Sequence, residues 1–269
     1  MTDQGHHGGR LAGSTVVVVG ASRGIGRSIA LSFARCGAKL VLASRSSDEL
    51  ASVVEDVRHL GAEALGVPAD VSQESSVAQL RERALEWSDG ACDAAVICAG
   101  IPGPTLPLWE QDLAQWEHTL RINLTGVFLC CRAFIPAMVA HGSGSVTVIG
   151  SATGKAPLHG RTPYAASKAG LIGLVRTLAL EVGPSGVRVN LVSPGAVVGE
   201  RIEGIIAAQA TALGQTPEQV REGVLRRTPL RRLVEPDDVA DAVLFLSSPA
   251  SACITGEDLN VSAGYVTHG

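Results

Sequence analysis

The feature that most constrains this chain is a regular alternation of two patterns. Short apolar runs rich in β-branched residues recur at 15–19, 39–43, 63–67, 94–98, 145–149, 187–192 and 258–261. Longer stretches with apolar residues at helical spacing lie near 25–36, 47–60, 73–87, 110–140, 162–183, 200–226 and 236–246. Runs such as Thr15-Val16-Val17-Val18-Val19 and Val146-Thr147-Val148-Ile149 are apolar on both faces. Parallel strands covered by helices on both sides require that pattern. Strict βα alternation therefore predicts an α/β fold, a doubly wound parallel sheet of about seven strands with right-handed crossovers. Gly37, Gly61, Gly142 and Gly186 fall just past the helical stretches, where a left-handed helix end suits glycine.

Composition narrows the function classes. Of the 269 residues 46% are hydrophobic and 18% charged, enough apolar area for a core and too little charge for disorder. No repeat or composition shift marks a second domain, so a single domain over 13–269 is expected behind a loose tail at 1–12. Lys and Arg total 22 against 26 Asp and Glu, a net charge of −4. No basic field then recommends nucleic acid or an anionic membrane as a partner. No uninterrupted apolar run approaches the ~18–20 residues of a spanning helix. Residues 1–10 are polar and lack the apolar segment of a secretory signal, so a soluble cytoplasmic protein is expected. Six cysteines, at 36, 92, 98, 130, 131 and 253, include no Cys-x-x-Cys pair. They suit neither a disulfide scaffold nor a zinc site, and His6 and His7 sit in a Gly-rich tail, so no metal is expected. Two connections exceed ordinary length: a Pro-rich loop at 101–109 and a helical insertion at 196–228, read as a lid. Both follow the carboxyl ends of strands, where open α/β sheets bind ligands.

Three motifs carry chemistry. Directly after the first strand comes Gly20-Ala21-Ser22-Arg23-Gly24-Ile25-Gly26, running into a helical pattern. Glycines there allow a tight turn, let backbone N–H groups approach a pyrophosphate, and let helix pack close to strand. Tyr164 and Lys168 stand at i and i+4 of a helix opened by Thr162-Pro163, so phenol and ammonium share one face. The chain has only two tyrosines (the other is Tyr265) and three lysines (Lys39, Lys155 and Lys168), which gives the pairing weight. A free tyrosine titrates near 10, and bringing it close to neutrality asks for ~4 kcal/mol of preferential phenolate stabilisation. A buried ammonium on the same helix face is suited to supply part of it. Thirteen positions before Tyr164, Ser151 ends the fifth strand, where its hydroxyl can hydrogen-bond a substrate carbonyl oxygen.

The spacing Gly-x-x-x-Gly-x-Gly, with Ser151 and Tyr164-x-x-x-Lys168, resembles the short-chain dehydrogenase/reductase family from about residue 13 to 265. The resemblance implies a Rossmann-like fold and a nicotinamide dinucleotide. Asn123 is the family's fourth catalytic position, where its amide would hold a water relaying protons to Lys168. Asp70 and Val71 would frame the adenine. Cys98, Ala99 and Gly100 follow the fourth strand beside the cofactor, and Pro194, Gly195 and Val197 would contact the nicotinamide. Tyr164 and Lys168 would also touch its ribose. Four positions depart from the family pattern: Val19 replaces a threonine, Ile97-Cys98 replaces a pair of asparagines, and Gly199 stands where a hydroxyl residue is usual.

The end of the second strand bears on which dinucleotide is held. An NAD enzyme needs a carboxylate there for the ribose 2′-OH. Ser44 stands in that place, Arg45 follows it, and Arg23 in the glycine loop can reach the same spot. Two guanidinium groups would favour NADP(H) over NAD(H), the plainer role for them being solvated surface arginines. The implied reaction is reversible hydride transfer between a carbonyl and an alcohol. The alternatives are a 3-oxoacyl-(carrier protein) reductase and a non-catalytic NADPH-binding module. Positions 142 and 185, where a carrier-docking branch has basic residues, are Gly142 and Ser185. The substrate stays open: the insertion reads either as an apolar lid, through Ile202, Ile205 and Ile206, or as one in which Arg201 anchors an anion. Cys98 reads as a packed side chain or a redox-sensitive thiol. By the same resemblance, helices at 110–140 and 162–183 would pair the protein into a dimer or tetramer.

Overall fold

A computed structural model describes residues 11–267. Seven strands form one parallel sheet: β1 (Thr15–Val19), β2 (Lys39–Ser44), β3 (Ala64–Pro68), β4 (Ala94–Ile97), β5 (Gly144–Ile149), β6 (Val187–Pro194) and β7 (Asp258–Val261). Their order across the sheet is β3-β2-β1-β4-β5-β6-β7. The direction of winding reverses between β1 and β4, and the crevice outside the carboxyl ends of those strands is where such sheets take ligands.

All five residues of β1 are buried, because each face meets a different helical layer. Val17 and Val19 join the core formed with Phe134, Met138, Leu171 and Val175. Val16 and Val18 join the opposite core with Ile29, Phe33, Val239 and Val243. Burying each valine contributes about 1.5–3 kcal/mol relative to leaving it in water. The first layer comprises α3 (Glu74–Trp87), α5 (Gly126–His141) and α6 (Thr162–Val182), and the second α1 (Gly24–Arg35), α2 (Ser47–His59) and α9 (Pro236–Ser247). Leu11, assigned to the loose tail by the sequence, is instead buried in the second core. Residues 1–10, with His6 and His7, lie outside the described residues.

Two expected helices are broken, each for a visible reason. The stretch 110–140 resolves into a turn at Leu108–Glu110, then α4 (Leu113–Leu120), a π-helical turn at Arg121–Thr125, and α5. Asp112 caps α4 by accepting from the Ala114 N–H. The π turn adds a residue to the helical repeat and turns Asn123 inward, fully buried. By length and composition Leu113–His141 could cross a bilayer, yet Val127, Cys130, Phe134 and Met138 on it are packed into the core. The stretch 200–226 divides into α7 (Glu200–Leu213) and α8 (Pro217–Arg227). Gly214 ends α7 at φ +63°, and Thr216 with Gln219 forms a reciprocal capping box that starts α8. That punctuation stands in the sequence as Gly214, Thr216-Pro217 and Gln219.

Past Ser151, Lys155 forms an ion pair of 2.8 Å with Asp258 of β7, both side chains nearly inaccessible. Taking two charges out of water costs several kcal/mol per ion, so the pair adds little net stability, but removing either partner would leave the other charge buried and uncompensated. The pair holds the turn after β5 against the edge strand.

Candidate active site

The carboxyl ends of the strands open into a cleft of about 1970 Å³, more than an ordinary small-molecule pocket needs. It is lined by Gly20, Ser22, Arg23, Gly24, Ile25 and Gly26 at one end and by Ser151, Tyr164 and Lys168 at the other. Ser44, Arg45, Asp70, Val71, Cys98, Ala99, Gly100, Pro194, Gly195 and Val197 line it between or beside these. Asn123 alone among the expected residues does not reach it.

The glycine loop is shaped for close approach. A Cβ on Gly26 would stand 2.0 Å from the Gly20 carbonyl oxygen, and one on Gly20 would stand 2.7 Å from the Ala99 nitrogen. Helix α1 begins at Gly24 with no side-chain cap, so its first N–H groups face the cleft with the positive end of the helix dipole behind them. This cradle fits a pyrophosphate. At the end of β2, Ser44 is buried and its hydroxyl donates to the Ser46 carbonyl at 3.1 Å. Arg23 and Arg45 are exposed at the same end of the cleft, and neither forms an ion pair among the described residues. Glu49, one turn into α2, borders that end as well. Asp70 is held by its own turn, its carboxylate accepting from the Ser72 N–H at 2.9 Å.

At the other end, Lys168 is almost wholly buried, and its ammonium donates to the Ile149 carbonyl at 2.8 Å. The same ammonium lies 5.9 Å from the centre of the Tyr164 ring. Burial alone would raise the Tyr164 phenol, but Lys168 foremost, then a hydrogen bond with Ser151, then Arg201 and Arg161, bring it below the ordinary tyrosine value. Burial likewise lowers Lys168, while the Tyr164 and Cys98 side chains work the other way. Ser151 stands two residues past the end of β5, where it caps the short helical turn at Ala152–Gly154 and accepts from the Thr153 N–H at 3.1 Å.

The side-chain amide of Asn123 has protein partners on all three bonds that the structure gives it. Its Nδ2 donates to the Ile101 carbonyl at 3.0 Å and to Ser167 Oγ at 3.2 Å, and its Oδ1 accepts from the Ile101 N–H at 2.8 Å. Both donors are therefore spent on fixing the strand exit at Ile101 and the helix that carries Lys168. Gly100 makes room for this: a Cβ there would stand 3.3 Å from Asn123 Oδ1 and 3.7 Å from Lys168 Nζ. Gly195 approaches Ser262 as closely, and Val197 pairs with Val234.

Two arginines also stand here. Arg161, three residues before Tyr164, was not singled out by the sequence reading. Its guanidinium carbon lies 4.8 Å from the Tyr164 ring centre, and it donates to the Pro102 carbonyl at 2.9 Å. The signal was present, since a cation at a helix N-terminus opposes the helix dipole. Arg201, at the start of α7, reaches across the cleft to the Gly100 carbonyl at 2.7 Å.

The family model described as enoyl-(acyl carrier protein) reductase matches residues 20–266. A cis-4-hydroxycyclohexanecarboxylate dehydrogenase of Sinomonas cyclohexanicum is 36% identical over 96% of this chain and 98% of its own length. An actinorhodin polyketide ketoreductase solved with NADPH superposes with a TM-score of 0.90 at 30% identity, over 95% of this chain and 98% of that one. A xylitol dehydrogenase solved with NAD+ superposes with a TM-score of 0.92 at 27% identity, over 95% of this chain and 100% of that one.

Proposed function

The chain belongs to the short-chain dehydrogenase/reductase family, oxidoreductases acting on a carbonyl/alcohol pair, and from that premise we propose an NADP(H)-dependent enzyme with Tyr164 as its acid and base. The observation that carries this reading is the buried Lys168 ammonium beside Tyr164, which acidifies the phenol. A bound nicotinamide dinucleotide supplies or accepts the hydride. In reduction Tyr164 donates its phenolic proton to the substrate oxygen, and Ser151 Oγ hydrogen-bonds that oxygen and orients it. Lys168 stabilises the phenolate left behind. Asn123 acts at one remove, as a positioning residue, through Ile101 and Ser167. Oxidation reverses the proton's path. It requires the phenolate, so its rate rises with pH through the Tyr164 transition, which lies lower than for an ordinary tyrosine. Reduction requires the phenol and falls over the same range.

The preference for NADP(H) is supported by Ser44 in place of a carboxylate and by two guanidiniums, Arg23 and Arg45, that form no ion pair among the described residues and stand at the same end of the cleft. The substrate is a free ketone, aldehyde or secondary alcohol. A carrier-bound acyl chain, which the family model's description brings to mind, lacks its basic docking residues at Gly142 and Ser185. A non-catalytic module presupposes loss of catalytic side chains, and Asn123, Ser151, Tyr164 and Lys168 all stand together. Segment 196–228 serves as the lid, since α7 and α8 form one wall of the cleft. The protein also self-associates: Leu113, Phe128 and Leu180 present exposed apolar side chains on α4, α5 and α6, with Leu180 80% exposed.

Tyr164→Phe lowers steady-state turnover with NADPH by about 10²–10⁴-fold, the usual contribution of a positioned acid–base group, while fluorescence titration still reports NADPH binding. Near-normal turnover in this variant removes Tyr164 from the chemistry. Arg23→Ala and Arg45→Ala each lower the ratio of kcat/KM for NADPH to that for NADH by about tenfold or more, as expected for one charge-assisted contact; an unchanged ratio refutes their role. Light scattering returns two or four times the chain mass of 27.7 kDa, and a single chain mass at micromolar concentration contradicts self-association.

A further inference from the structure

The chain segment leaving β4 receives three side chains in succession. The Gly100 carbonyl accepts from Arg201, both backbone groups of Ile101 are held by Asn123, and the Pro102 carbonyl accepts from Arg161. Two guanidiniums are thereby brought from opposite sides of the cleft, α7 and the start of α6, onto carbonyls separated by one residue. Each is close enough to Tyr164 to act on its phenol.

No anion balances them. Among the described residues neither arginine forms an ion pair, and the nearby Glu203 is committed to Arg221. Arg161 is only 2% exposed, yet of its five N–H donors the structure partners one, and its Nε has no acceptor. Burying a guanidinium without a counter-charge costs several kcal/mol, and stacking on a phenol offsets only part of that. During reduction Tyr164 begins as a neutral phenol; of the carboxylates that line the same part of the cleft, Glu222 pairs with Arg226, and Glu200, beside Arg201, is exposed and forms no ion pair with either arginine among the described residues. Fork-shaped guanidiniums match a carboxylate's two oxygens, which a neutral ketone cannot offer.

We propose that Arg161 and Arg201 form a carboxylate subsite, and that the natural substrate is an oxo-acid or hydroxy-acid whose reacting carbon lies a few atoms from its carboxylate. This inference rests on the reading of Tyr164 as the group that meets the reacting oxygen. The body of such a substrate would lie along Leu158 and Ile202, which line the cleft beside the two arginines.

The test compares each acid with its own methyl ester: laevulinate and the cyclohexanone monocarboxylates, reduced with NADPH. Both members of a pair use the same phenol, so the ratio of their kcat/KM values cancels any effect of an arginine on Tyr164. The acids are expected to lead by about 10–100-fold, and Arg201→Gln is expected to reduce that lead at least about tenfold, mainly through KM. Arg201 is exposed, so its variant keeps the fold, which circular dichroism verifies. A second measurement needs no turnover: calorimetric binding of cyclohexanecarboxylate against cyclohexanecarboxamide to the NADP-loaded protein. Preferential binding of the acid that disappears in Arg201→Gln supports the subsite even if no carbonyl in the panel is reduced, an outcome that would count against the enzyme reading alone. Reduction of neutral ketones with no preference for acids, or equal binding of acid and amide, overturns the subsite and leaves the enzyme reading standing.

Discussion

The arrangement depends on one buried ammonium. Lys168 reaches the floor of the cleft from the second turn of α6, and the peptide carbonyl at the end of β5 holds it there. Burial disfavours the charged form and lowers the Lys168 ammonium, and the neighbouring phenol opposes that shift. The ammonium stays close enough to lower Tyr164 against the opposing effect of burial. Much of the surrounding architecture keeps this pair in place: the absence of a side chain at Gly100, the amide of Asn123 fastened to the helix through Ser167, and the ion pair of Lys155 with Asp258 beyond Ser151.

The exit from β4 organises the rest. It lies at the winding reversal of the sheet, so the dinucleotide cradle and the reacting end meet there. Departures from the family pattern have local consequences. Cys98 stands where an amide is usual, and burial pushes its thiol up, against the pull of Arg201 and Lys168. That shift disfavours the nucleophilic thiolate, although the half-buried side chain borders the cleft. Gly199, in place of a hydroxyl residue, adopts φ +135°, a conformation other residues rarely take, and leaves α7 without a side-chain cap. The first turn of that helix is held to the body of the protein by the buried Ile202, with the Arg201 contact to Gly100 beside it, rather than by a cap.

The sheet and its two-sided cover were legible because β-branched runs apolar on both faces have few other uses. The glycine loop and the Tyr164, Lys168 and Ser151 spacing were legible because each is a local pattern set by one turn or one helix face. The break at Gly214–Thr216 was written in the sequence and passed over, since apolar periodicity continues on either side of it. The π turn was not legible: a single extra residue in a helical repeat leaves no mark in a periodic pattern, and what holds it, Asn123 against Ile101, is a contact between positions 22 apart. For the same reason the partners of the Asn123 amide, the Ile101 backbone and the Ser167 hydroxyl, could not be read from the sequence. Arg161 was missed because its partners, Pro102 and the face of Tyr164, come together only in the fold.

The most direct test is to titrate Tyr164 itself. Replacing Tyr265 with phenylalanine leaves one tyrosine, whose ionisation is read by ultraviolet difference absorbance or by carbon-labelled tyrosine resonance across the alkaline range. The midpoint is expected below the free-tyrosine value and moves upward when Lys168 is replaced with methionine. A midpoint at or above that value, or one indifferent to the loss of Lys168, would contradict it.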